Sequence, residues 1–254
     1  GVPLIAVQHH HAHIAACLAE NQVDGPVIGL ALDGTGLGTD GTIWGGEVLV
    51  ADALDFKRVA HLAPVPMPGS AAAIKAPWRM AVSHLRAAFG EIPNLSIRPL
   101  LPDIDHRQVA VMLQMMDRQL NSPLTSSLGR LFDAVAAIIG LRSQAAFEGQ
   151  AAMELEMIAD PSASGTYDFS WEGGGVLELS TAPIIRAVVQ DVQTGVSPAL
   201  ISARFHHTLV VLFDSVCRHL RRCTGIDRVA LSGGVFQNSR LLTGLSVALA
   251  DSGF

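Results

Sequence analysis

The sequence predicts an α/β fold, a sheet-based lobe with a mostly helical subdomain inserted into it. Three observations carry that prediction. The run VIGLAL at 27–32 is continuously apolar, as a strand buried on both faces is. Two strand-like runs follow it closely, TIWGGEVLVAD at 42–52 and KRVAHLAPV at 57–65. A second buried strand, RVALSGG at 228–234, arrives only after a long stretch of helical periodicity.

Taken in order, residues 4–7 read as a short apolar strand. From His9 to about Asn21, Ala, Cys and Leu recur at core spacing and predict a helix. The apolar run at 27–32 ends in a glycine-rich turn, DGTGLGTDG, and the three strands around it make a meander. Pro77 fits the first position of a helix running through Trp78, Met80, Ala81 and Leu85. Residues 106–121 and 126–140 read as amphipathic helices, with SPLTSS supplying N-caps between them, and 147–159 continues the helical run. The stretch YDFSWEGGGVLELS is a local β excursion. Two long helices follow at about 182–193 and 197–223, and a last helix leaves the strand at 228–234. Residues 1–65 and 226–254 thus form the sheet lobe and 66–225 the insert, within one incomplete domain over 1–254. Both ends of the chain read as cuts through a longer protein.

Apolar residues make up 49% of the 254 and charged residues 16%, so the chain has the means to bury a core. The formal net charge of -6 lacks the basic footprint of a nucleic-acid binder, and no nucleic-acid partner is expected. Cys17, Cys217 and Cys223 form no CxxC pair, which suits a reducing cytoplasm better than a disulfide framework. No signal-peptide pattern and no run of about 18 apolar residues appears, so no membrane partner is expected.

The chemistry concentrates in four places. The first is VQHHHAHIAA. His9 and His13 stand at i and i+4 and share a helix face, while His10 and His13 at i and i+3 are the weaker alternative pair. Neutral imidazoles are common ligands for borderline cations, so a divalent metal is expected here. Two histidines do not complete a site. Asp33, at the carboxyl end of the buried strand, is the natural third ligand, because ligands of open α/β sheets gather there.

The second place is the turn Gly34-Thr35-Gly36 with Gly38, where bare backbone amides can approach an anion. No GK[ST] follows, so it is not a Walker A loop. The third is Gly233-Gly234 between strand and helix, where a helix N-terminus can hold a phosphate and Asn238 can bond a sugar or phosphate. Two glycine turns at strand ends of one sheet suit an actin-like nucleotide cleft. The fourth is Asp133, on an otherwise apolar helix face, where a buried carboxylate needs a partner.

Together these stretches, with KAPWRMA, SSLGRLFDAVAAIIGL, FEGQAAMELE and LSGGVFQNSRLL, resemble the hydrogenase-maturation carbamoyltransferase family known as HypF. The resemblance covers most of the chain and corresponds to that family's C-terminal domain. That domain is similar to the tRNA threonylcarbamoyl-transferases and has an actin/hexokinase/Hsp70-type fold. It implies that His9, His13 and Asp33 hold the metal, zinc or iron. It implies that Gly34, Thr35 and Gly36, with Gly233 and Gly234, surround the nucleotide phosphates. It implies further that Asp133, the Gly149-Gln150 turn, Glu154 and Asn238 contact the adenosine. The family's PGGD reads Pro68-Gly69-Ser70-Ala71 here, and Gln150 replaces the second glycine that the threonylcarbamoyl relatives carry after Gly149.

The implied activity is carbamoyl transfer. ATP and carbamoyl phosphate yield carbamoyl-adenylate, whose carbamoyl group passes to the C-terminal cysteine of a HypE-type partner. Family members also carry an upstream acylphosphatase-like domain, zinc fingers, an adenylate-forming domain and a first actin-like lobe, and a further metal-ligating aspartate downstream. Two other functions suit the same residues. One is an O-carbamoyltransferase acting on a small-molecule hydroxyl; the other is a non-catalytic nucleotide- or metal-binding lobe.

Overall fold

A computed structural model describes residue 4, residues 6–90 and residues 100–254. In chain order the first elements are α1 (His9–Glu20), β1 (Val27–Leu37), β2 (Ile43–Ala51), β3 (Phe56–Leu62) and β4 (Val65–Pro66). They are followed by α2 (Ala71–Lys75), α3 (Pro77–Phe89), α4 (His106–Asp117), β5 (Leu124–Thr125), α5 (Leu128–Ile138) and α6 (Gln150–Ile158). The chain continues through β6 (Ser170–Glu172), β7 (Leu177–Ser180), α7 (Ala182–Gln193), α8 (Pro198–Thr224), β8 (Val229–Ser232) and α9 (Ser239–Asp251).

One mixed sheet organises these elements, so the α/β class holds. β1 lies inside it, antiparallel to β2 on one side and parallel to β8 on the other. β3 pairs antiparallel with β2 and completes the expected meander. The segment 66–225 is mostly helical, but it returns three short strands to the sheet. β7 runs parallel to β3, β6 pairs with β7, and β5 joins the start of β2. β8 is less buried than its sequence suggests, because only Ala230 of its four residues is fully covered.

The early apolar segment departs from expectation. Leu4, Ala6 and Val7 form no strand, and Leu4 and Val7 are exposed. Ile5 lies outside the described residues. An apolar run becomes a strand only where an edge is there to pair with it, and no described strand pairs with this one. The chain leaves the helix between the segments expected at 126–140 and 147–159. The first helix stops at Ile139, and Gly140 takes a φ of 75°. Helix resumes only at Gln150, after Gly149 with a φ of 79°.

Close approach explains how helices meet the sheet. A Cβ at Gly29 would lie 2.7 Å from Ile14 Cγ1, so α1 rests directly on the backbone of β1. α5 is buried along its whole length. Its cap, Ser127, accepts from Arg130 N and donates to Asp33 O and Gly34 O, at 2.9 and 2.7 Å. The start of α5 is thereby bolted to the end of β1, which puts Asp33 and Asp133 on neighbouring walls. α8 is long and apolar enough to cross a membrane, but most of that surface is buried in the core.

Candidate metal and nucleotide site

α1 begins beside the carboxyl end of β1, and three side chains converge there. His9 Nε2 and His13 Nε2 each lie 3.2 Å from Asp33 Oδ2. The three ligand atoms sit within 4.8 Å of one another. The two rings meet edge to face with centroids 4.7 Å apart. Donors about 2.0–2.1 Å from a tetrahedral ion stand roughly 3.3 Å apart, so this spacing is close to that of a coordination shell. Asp33 Oδ1 accepts from Gly34 N at 2.7 Å, which leaves Oδ2 for a cation. Burial pushes the Asp33 carboxyl up, but the Gly34 amide and the two histidines outweigh it and hold the group below its ordinary range.

The other histidines of the cluster have structural partners. His10 is wholly buried, and its Nδ1 accepts from Gln8 Nε2 at 3.1 Å. Burial, followed by the neighbouring His9, pushes it down to about 4. His11 Nε2 donates to Asp52 O at 2.9 Å, and the ring stacks on Phe56. The i, i+3 pairing of His10 with His13 is therefore not the one used.

The segment expected to be a phosphate-binding turn is instead an irregular continuation of β1. The register shifts between Leu32 and Gly36, and the tight turn comes later, around Gly41 with a φ of 79°. Gly36 serves the histidines: a Cβ there would lie 2.5 Å from His10 Cε1 and 2.7 Å from His9 Cδ2. Gly38 faces Trp44 in the same way. Gly36→Ala is expected to displace the imidazoles and weaken zinc binding about 10–100-fold, the range for disturbing a ligand's support. Competition against a coloured chelator measures this, and unchanged affinity would remove Gly36 from the site.

A cleft of about 440 Å³ opens directly beyond the triad, a size in the range of ligand sites. Asp33, Gly34 and Gly234 form its polar end. Arg130 and Asp133 lie along its floor, and Ala152, Met153 and Met157 of α6 form an apolar wall. Thr35 and Gly36 lie off this lining, whereas Gly149 belongs to it. Gly233 is needed by the backbone: its φ is 109°, and a Cβ would meet Leu32 O at 2.3 Å.

Three expectations about the far side of the cleft are corrected. Glu154 turns outward and grips Arg142 with both oxygens, at 2.6 and 2.8 Å. Glu156 stands at the cleft instead. Its Oε1 accepts from Ser239 N at 2.8 Å, Ser239 Oγ at 2.6 Å and Arg240 N at 3.2 Å. The start of α9 is thus satisfied by a carboxylate, and Gly234 itself opens only a single 3₁₀ turn, Gly234–Gln237. Asn238 lines the cleft, but its polar atoms point into the protein. Oδ1 caps Leu241 N, and Nδ2 donates to His206 Nε2 at 2.9 Å.

Arg130, Glu156, Met153 and Met157 also line the cleft, beyond the residues expected from the sequence. The signal was available in part. Met153, Glu156 and Met157 stand at i, i+3 and i+4 and share a helix face that excludes Glu154. Arg130 and Asp133 are likewise at i and i+3.

Burial pushes Asp133 up to about 6; Arg130 opposes this and Glu148 adds to it. Burial pushes His84 and His206 down to about 4. The unfolded chain, whose histidines titrate near 6.5, therefore binds more protons between pH 6.5 and 4, and both groups cost stability on acidification through that window. Asp133 acts oppositely: the fold binds its proton from about pH 6 down to 3.8 and gains stability there. Each group contributes at most about 1.4 kcal/mol per pH unit, and two histidines outweigh one carboxylate. The melting temperature is expected to fall steadily from pH 6.5 to 4 in scanning calorimetry; a flat or rising profile would contradict the burial of these groups.

Comparison with known proteins gives the family and the fold. Residues 29–254 match a family described as the second subdomain of a Kae1-like carbamoyltransferase domain. The chain is 42% identical over 259 residues to the carbamoyltransferase HypF of Rhodobacter capsulatus, a match covering all of this chain and 33% of that one. It is 40% identical over 254 residues to the carbamoyltransferase HypF of Rhizobium leguminosarum bv. viciae, covering 99% of this chain and 32% of that one. It superposes on a crystal structure of full-length HypF in the phosphate- and nucleotide-bound form with a TM-score of 0.93 and 43% identity, over the whole of this chain and 33% of that chain. The chain spans about a third of the length of these two relatives. The Kae1-like match gives the sheet and its helices the character of an actin/hexokinase-like lobe.

Proposed function

The chain belongs to the HypF carbamoyltransferase family, and on that premise we propose that it forms the part of the protein in which a carbamoyl-adenylate, made from ATP and carbamoyl phosphate, gives up its carbamoyl group. The acceptor in this reading is the C-terminal cysteine of a HypE-type partner in hydrogenase maturation. The observation that carries it is the convergence of His9 and His13 on Asp33, which itself lines a cleft whose other wall is apolar. An adenylate needs both ends, one for its phosphate and carbamoyl oxygens and one for its base.

The residues divide the work accordingly. Met153 and Met157 offer soft, adaptable surface to the base. Asp133, largely ionised at neutral pH, accepts from a ribose hydroxyl. Gly34 and Gly234, which carry no side chains, let the phosphate reach the corner beside Asp33. His9, His13 and Asp33 would hold a divalent cation of zinc or iron type, which supplies Lewis-acid polarisation when bound. The cleft is acidic, with Asp33, Asp133, Glu148 and Glu156 against Arg130 alone. An anion is therefore expected to enter well only when the cation is in place.

No cysteine lines the cleft among the described residues, and Cys217 is buried. The nucleophile is accordingly supplied from outside. The partner thiolate attacks the carbamoyl carbon, a C–S bond forms, the C–O bond to phosphate breaks, and AMP leaves with the electron pair. A free thiolate suits the reducing cytoplasm. The test offers synthetic carbamoyl-adenylate and zinc to the chain with a peptide ending in cysteine, followed by mass spectrometry. Chain-dependent carbamoylation of the cysteine is expected. Transfer only to an added sugar hydroxyl, or no acceleration over buffer, would overturn the proposal.

A further inference from the structure

We propose that Arg130 reads the 5′-phosphate of the bound nucleotide, and that it separates AMP from adenosine. The inference rests on the reading of the cleft as a nucleotide site and adds to it the residue that recognises the anion.

The side chain of Arg130 is only 3% exposed, yet it contributes to the cleft lining. Its Nε lies 2.8 Å from Asp133 Oδ2. The alignment is poor, however: Nε, Nη1 and Asp133 Oδ2 make no hydrogen bond among the described residues. A guanidinium has five donors, and burying them unspent costs free energy comparable to lost hydrogen bonds. Nε and Nη1 are sealed from solvent, so Nη2, beside the Gly34 corner, is the arm that faces an incoming acceptor.

Position narrows the choice of acceptor. Nη2 lies 3.9 Å from where a Cβ on Gly34 would stand, so the guanidinium sits between Asp133 and the metal corner. Glu148 flanks the same spot, with Oε1 3.8 Å from that Cβ position. Among these carboxylates, Arg130, the one cationic side chain lining the cleft among the described residues, marks where a phosphate of a nucleoside 5′-phosphate is tolerated. The planar fork matches phosphate oxygens two at a time, which a lysine cannot do.

Two measurements test the proposal. In zinc-loaded wild-type chain, calorimetry is expected to give AMP about 10–100-fold tighter than adenosine, the range of one charge-assisted hydrogen bond. Arg130→Met is expected to cut that preference about tenfold and Arg130→Lys to shrink it less, the ratio of AMP to adenosine affinity being the quantity read. A merely structural arginine would weaken both ligands by the same factor and leave the preference whole, and a preference for AMP undiminished in Arg130→Met would overturn the proposal. If the variants fail to fold, the wild-type chain with ¹⁵N-labelled arginine decides. AMP, and not adenosine, is expected to shift and slow the Arg130 guanidinium signals, and signals indifferent to AMP would overturn it. A wild-type chain that binds AMP and adenosine equally sinks the role of Arg130 alone. One that binds neither sinks the nucleotide cleft with it.

Discussion

Asp33→Ala is expected to reduce zinc affinity by well over about 100-fold, more than the loss of an outer-shell partner causes. Asp33 is the only carboxylate of the triad, and its Oδ2 is the point toward which both imidazoles turn. Without it, His9 and His13 remain as an isolated pair on one helix face, and two ligands hold a divalent ion poorly. The metal-free fold is expected to change little, because Ser127 anchors the end of β1 through the backbone of Asp33 and Gly34, not through the carboxylate. Equilibrium dialysis with metal analysis reads the first effect and thermal melting the second. A variant that retains zinc as the wild type does would show that the three residues are neighbours and not ligands.

Asp133→Ala is expected to be the most damaging single change to stability, by about 3–5 kcal/mol, because it leaves the Arg130 guanidinium buried without a counter-charge. At this chain size 1 kcal/mol shifts the melting temperature by roughly 2–4 °C, so a drop on the order of 10 °C follows. Arg130→Met combined with Asp133→Leu is expected to recover most of the loss, because removing both charges also removes the desolvation penalty. A single alanine variant melting within about 2 °C of wild type would mean that the pair is better hydrated than its 3% exposures indicate.

What was legible in the sequence follows from how local each signal is. α1, α7, α8 and α9, and the start of α3 at Pro77, are legible nearly to the residue, because caps and apolar periodicity are written in consecutive residues. The His9–His13 pair was equally legible, since helix geometry alone places i and i+4 on one face. Asp33 required only the knowledge that the regular apolar part of the strand ends there, although β1 itself runs on to Leu37. The strand expected at Leu4, Ala6 and Val7 failed because strand formation depends on a distant pairing edge. The glycines misled for a related reason. A glycine announces a missing side chain but not what fills the space; at Gly36 the occupant is a pair of imidazoles. Glu154 and Asn238 carried the right chemistry with partners the sequence does not reveal. Arg142 holds one, and the α9 backbone and His206 hold the other. Arg130 was passed over beside Asp133, although a buried carboxylate calls for a cation three or four residues away.

The central claim is that the triad and the acidic cleft are one site, in which the cation admits the nucleotide. Calorimetric titration of AMP into the chain, with and without one equivalent of zinc, tests it most directly. The account predicts that zinc tightens AMP by about tenfold or more, and that AMP tightens zinc by the same factor, as linkage requires. AMP affinity that is the same with and without zinc would contradict it.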